Sequence, residues 1–94
     1  MQVREDIIDE LRQIANSGGT VASMVRLICF RLQIEKDVRL LVFLYLRTAF
    51  FITLAEAAYV GGWTVIGDGK LSDDDIERML SPAIERERPR WEKK

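Results

Sequence analysis

The residues able to do chemistry are few and poorly matched to one another. The 94-residue chain has no histidine and a single cysteine, Cys29. It therefore lacks the commonest general base, the usual activator of a serine or cysteine nucleophile, and the commonest metal ligand. Cys29 falls on the apolar face of a helical pattern, where a thiol is ordinarily a small core residue and nothing is at hand to ionise it. The sequence points away from an enzyme, and no catalytic residue, metal or cofactor is expected.

Carboxylates make the densest cluster of one chemistry: Asp68, Asp73, Asp74, Asp75 and Glu77. Asp68-Gly69-Lys70-Leu71-Ser72 followed by Asp75 has the form of the second half of an EF-hand loop, with glycine at the sharp turn and a carboxylate at the closing position. The first half fails. Aligned on Gly69, the first and third ligand positions fall on Thr64 and Ile66, and isoleucine offers no oxygen. Two readings of the cluster remain. Three carboxylates after a Ser72 cap are what a helix N-terminus favours for its own stability. The same surface would also attract a basic partner and mask a positively charged groove such as a nuclease active site. That is the mode expected of a small immunity or antitoxin protein.

A third pattern is the spacing Ala15, Gly19, Val25, a small residue, a turn glycine and an apolar residue placed as in helix-turn-helix units. Its second helix would offer only Ser23, Arg26 and the Thr20 cap to DNA, where base readers present several long polar side chains. The net charge of −1 argues in the same direction, away from nucleic acid. The charge alternates in blocks: minus two over residues 1–20, plus three over 21–47, minus four over 48–80 and plus two over 81–94. Such blocks favour contact between segments or between copies of the chain.

The elements that would carry these residues are helical. Ile7, Ile8, Leu11, Ile14 and Ala15 share one helical face, Glu5 and Asp6 sit in the favoured first turn, and Ser17-Gly18-Gly19 ends the helix. Thr20 caps a second helix to about residue 32. Residues 37–60 read as one long apolar helix, roughly 35 Å at 1.5 Å per residue, and 63–66 as a short extended segment. Ser72 caps a further helix, and Pro82 suits the first position of another. The expectation is an all-α, single-domain, compact bundle of four to five helices over residues 1–88, with 89–94 a partly ordered tail.

A helix apolar all round is enclosed either by protein or by lipid. Arg47 near its middle and the amphipathic first two helices argue for protein. Three short helices would struggle to cover it, so the long helix is expected to pair with its copy in a homodimer through Phe43, Leu46, Phe50 and Leu54. Arg47 and Glu56, nine residues apart, lie on opposite sides of such a helix and are candidate buried charges that need partners. One cysteine and no signal peptide at the start of the chain suggest the cytoplasm. The leading expectation is a non-enzymatic protein-binding module whose residues 68–77 meet a basic partner. A DNA-binding regulator using residues 7–32 and a small membrane-associated protein built on residues 38–60 are the alternatives.

Overall fold

The computed structural model describes residues 3–33, 38–59 and 70–92. Six helices follow in order: α1 (Glu5–Asn16), α2 (Val21–Leu32), α3 (Val38–Phe50), α4 (Leu54–Ala57), α5 (Asp73–Arg86) and α6 (Arg88–Trp91). There is no strand among the described residues, and the all-α class stands. The radius of gyration, 12.1 Å, is that of a well-packed globule of this length. The extended segment at 63–66, and Asp68 and Gly69 of the EF-hand-like half loop, lie outside the described residues; Ser72 and Asp75 of that half loop form the cap of α5.

Each helix is set by local chemistry before it is set by packing. α1 buries Ile7, Ile8, Leu11 and Ala15, one stripe at helical spacing. It ends where Gly18 turns left-handed at φ 79°, so that the Gly19 N–H reaches the Ile14 carbonyl at 2.8 Å and the Gly18 N–H reaches that of Ala15 at 3.3 Å. Gly19 has no alternative, because a Cβ there would stand 2.4 Å from the Ile14 side chain. α2 follows at once, its Thr20 cap accepting from the Ser23 N–H at 3.1 Å, and buries Val21, Ala22, Met24, Val25 and Ile28.

The expected long helix is broken. α3 ends at Phe50, Phe51 takes left-handed backbone at φ 58°, and α4 restarts after Thr53. Thr53 and Glu56 form a reciprocal cap: the Glu56 N–H donates to the Thr53 hydroxyl at 3.1 Å and the Thr53 N–H to the Glu56 carboxylate at 2.9 Å. At the other side of the break the Arg12 guanidinium of α1 donates to the last carbonyls of α3, Ala49 at 2.9 Å and Thr48 at 3.4 Å. The break answers the difficulty of covering a long apolar rod. α3 turns a single stripe inward, Val42, Tyr45, Leu46, Ala49 and Phe50, and the change of direction then brings Ile52 and Ala57 into the same core. Among the described residues no helix is long and apolar enough to cross a membrane.

α5 also departs from expectation. The helix that Ser81-Pro82 was expected to begin is continuous with the one begun at Ser72, and Pro82 sits exposed in its interior. Proline removes one helical hydrogen bond and crowds the preceding turn. Ile76, Leu80, Ala83 and Ile84 lie on one face across it and are all buried, and that common burial holds the two halves in line.

The C-terminal segment, expected as a tail, supplies α6. Trp91 is 2% exposed and meets the Phe50 ring edge-on at 5.2 Å. Its indole N–H donates to the Ile84 carbonyl at 2.9 Å, and the Arg88 guanidinium lies 4.8 Å over its ring. At the opposite end of the chain the Arg4 N–H donates to the Tyr45 hydroxyl at 2.9 Å, which satisfies the one polar atom of a tyrosine otherwise buried in α3.

Candidate interaction surfaces

The carboxylate cluster divides once its neighbours are in place. Asp75 belongs to the start of α5: its carboxylate accepts from the Ser72 N–H at 3.0 Å, while its own N–H donates to the Ser72 hydroxyl at 3.2 Å. The Ser72 N–H and the Ser72 hydroxyl, which also donates to this carboxylate at 3.0 Å, together with Arg78 at 3.0 Å, hold its carboxyl below the usual range. Glu77 reaches out of its own helix, and its Oε1 accepts from the Val21 N–H at 2.7 Å. A residue of α5 thereby caps the first turn of α2, supplying a negative charge where the helix dipole and a free amide both call for one. Asp73 lies 3.6 Å from Arg26 of α2, both side chains being more than half exposed, and Asp74 is exposed. Asp73 and Asp74 are the carboxylates that this end of α5 leaves exposed.

The proposed dimer core does not survive the break. Leu46 and Phe50 are fully buried in the chain's own core, so they have no surface to offer a second copy. Phe43 is half-buried against that core, and Leu54 alone of the four is exposed, at 56%. The two candidate buried charges are not buried either. Arg47 is exposed on α3. Glu56 is held by the two terminal guanidinium nitrogens of Arg86, at 2.6 and 2.8 Å. That fork, together with the Thr53 cap, lowers the Glu56 carboxyl to about 2.

Cys29 is half-buried, packs beside the core, and has its thiol pushed up by that burial, the environment of an unreactive side chain. Among the described residues no group of three histidines, cysteines or carboxylates is placed to hold a metal ion. An open cleft of about 270 Å³ between α1 and the C-terminal segment is lined by Asp9, Arg12, Gln13, Asn16, Trp91 and Glu92. Its arginine already serves the α3 carbonyls and its tryptophan is buried, so it offers a ligand little beyond mixed polar rim.

Two features escape the sequence altogether. Phe30, on the side of α2 away from the core, is 79% exposed, and Leu40 in the first turn of α3 is 68% exposed. Ser23, Arg26 and Phe30 recur at helical spacing, so they form the outer stripe of α2, opposite the buried Val21, Met24, Val25 and Ile28. The other is a cage of cations at the α3–α4 break, where Arg12 and Arg90 stand 5.9 and 4.9 Å from the centre of the Phe51 ring. The helical spacing of residues 21–32 puts Phe30 across the helix from the apolar stripe, but does not tell whether a neighbouring element covers it.

On the helix-turn-helix pattern, the outer stripe of α2 carries one cation, Arg26, and it faces Asp73; Arg31, the other arginine of that helix, is taken by Asp6 at 2.6 Å and by Glu10 of α1. Compared with known protein families, curated proteins and solved structures, the chain finds no match.

Proposed function

We propose that this chain is a non-catalytic module that binds another protein, with Phe30 as the apolar anchor and Asp73 and Asp74 as an acidic rim that meets a basic surface. The observation that carries this reading is the exposure of Phe30 at 79% on the same stripe of α2 as Arg26, whose guanidinium marks where the acidic start of α5 lies. A large aromatic side chain left bare beside a charged rim has the anatomy of a protein-binding hot spot. Masking a basic target in the manner of an immunity or antitoxin protein is the form of binding that this rim fits best. Nucleic acid fits it poorly, since Asp73 and Asp74 would stand where phosphates approach Arg26.

A photoreactive residue at the exposed Ser23 position tests the reading in cells. The expected product is a crosslink to one protein with a basic contact surface. Phe30→Ala then weakens the purified complex by roughly 30-fold or more, the loss typical of a buried aromatic anchor. Asp73→Asn with Asp74→Asn slows association and flattens its dependence on salt. A crosslink to nucleic acid, or a complex indifferent to Phe30→Ala, would overturn the reading.

A further inference from the structure

We infer that the α3–α4 break is a hinge through which two copies of the chain exchange their C-terminal halves, so that α4–α6 of one copy dock on α1–α3 of the other. The argument begins with the residue that makes the turn. Phe51 is left-handed, at φ 58°, a backbone that glycine or asparagine takes readily and a phenylalanine does not. Residues 50–52 read Phe-Phe-Ile, without any residue that prefers a left-handed turn. The restart of α4 has a local signal in the Thr53–Glu56 cap, whereas the left-handed residue before it has none and is held by contacts from elsewhere.

Those contacts can be followed from one side of the break to the other. Glu56 of α4 pairs with Arg86 of α5, which also pairs with Glu87 at 2.8 Å. Glu87 takes Arg90 of α6 at 3.3 Å, Arg90 covers the Phe51 ring, and on that ring Arg12 of α1 closes the sequence while capping the α3 carbonyls. The pairs among Glu56, Arg86, Glu87 and Arg90 lie within α4–α6 and travel with that half; across the break itself the polar ties are those of Arg12, to the Phe51 ring and to the α3 carbonyls, exposed or part-exposed contacts that are individually weak. When they open, the segment from 38 to 57 can straighten into one helix and relieve Phe51.

Straightening carries α4 away from its own core, and a second copy restores what is lost. The contacts between α5 and α2 or between α6 and α3 are the same whether both helices come from one chain or two. The Glu77 cap on Val21, the Arg88 bond to Asn16 at 2.9 Å and the Trp91–Phe50 contact would all reform between copies. Exchange across a short strained hinge is the least costly route by which a folded chain becomes a dimer. The shared surface is then the existing core, not a new apolar patch, and a dimer follows although Leu46 and Phe50 are already buried.

Hinge substitutions measured on the full chain by light scattering behind a sizing column, over a concentration series equilibrated at mildly raised temperature, provide the test. Thr53→Ala removes the cap of the bent form, and each dimer contains two hinges, so dimerisation tightens by about 100-fold, roughly tenfold per hinge. Thr53→Ser keeps the cap and leaves the wild-type balance. Phe51→Gly relieves the left-handed residue and weakens the straight helix, shifting the balance to monomer by a similar factor. Dimers mixed from ¹⁵N-labelled chains and chains spin-labelled at position 78, all in a Cys29→Ser background, then locate the contact. Exchange broadens the resonances of α2 in the labelled chain. Monomer at every concentration for Thr53→Ala, a dimer insensitive to both hinge variants, or broadening that spares α2 would each overturn the inference.

Discussion

Replacing Trp91 by alanine should cost about 4 kcal/mol of folding stability, although the residue stands fourth from the end of the chain. A buried tryptophan removes roughly 200 Å² from water, which at about 25 cal/mol per Å² sets an upper bound near 5 kcal/mol. The substitution also leaves the Ile84 carbonyl without its indole donor and the Phe50 ring without its edge contact. The segment has one way to limit the damage: α6 can undock as a whole, so the measured loss reads either the cavity or the docking energy of α6, whichever is smaller. Trp91→Phe separates the parts, keeping an aromatic edge for Phe50 but losing the N–H, at an expected cost of about 1–2 kcal/mol. Urea unfolding followed by circular dichroism gives both values, and a thermal scan of Trp91→Ala should show a midpoint lower by about 15–30 °C. A loss below about 1 kcal/mol for Trp91→Ala would refute the reasoning, since α6 would then contribute nothing to the core it is packed against.

Glu77→Ala should destabilise the fold by about 1–2 kcal/mol, because it strips the first turn of α2 of a cap delivered from α5, and Glu77→Gln by less than half of that, because the amide oxygen still accepts. Equal losses in urea unfolding would show that the side chain acts by some route other than the Val21 N–H. The Glu56–Arg86 pair predicts an acid response with a definite sign. Folding lowers the Glu56 carboxyl from 4.5 to about 2, so the unfolded chain takes up its proton first as the medium turns acid. The stabilisation is complete above about pH 4.5 and declines as pH falls toward about 2. Glu56→Gln should flatten the dependence of unfolding free energy on pH across that window, and a slope unchanged from wild type would refute the assignment.

The parts of the fold legible in the sequence are those whose chemistry is local. α1 and α2 follow from apolar spacing, from the Gly18-Gly19 stop and from the Thr20 cap, and the start of α5 from Ser72 and its carboxylates. The break at 51–53 was half legible. Thr53 and Glu56 stand at the Ser/Thr-x-x-Glu spacing that marks a helix start, a signal obscured by reading the apolar run as one rod. The other half, Phe51 turned left-handed, has no local signature, because the groups that hold it are Arg12 and Arg90, 39 residues away in either direction. Continuity through Pro82 and burial of Trp91 are tertiary in the same sense. A proline at a favourable first position and a short charged C-terminus argue correctly about isolated peptides, and the shared core overrides both.

The acidic cluster shows why a surface read from sequence overstates what a partner can see. Five carboxylates within ten residues suggest one field, but a carboxylate that accepts two hydrogen bonds from its own helix, or one from a neighbouring helix, has its charge largely answered within the chain. Asp75 and Glu77 are of that kind, and neutralising them would lower binding only by loosening the fold that presents the rest. Asp73 and Asp74 are the residues at which charge can be changed while the cap of α5 and the Glu77 cap of α2 are left alone, at the expense, for Asp73, of its exposed pair with Arg26. A loss of partner binding at Asp73→Asn with Asp74→Asn, against unchanged unfolding free energy, is therefore a statement about recognition. The same loss at Glu77→Ala would be a statement about stability, and the two measurements must be made side by side to tell them apart.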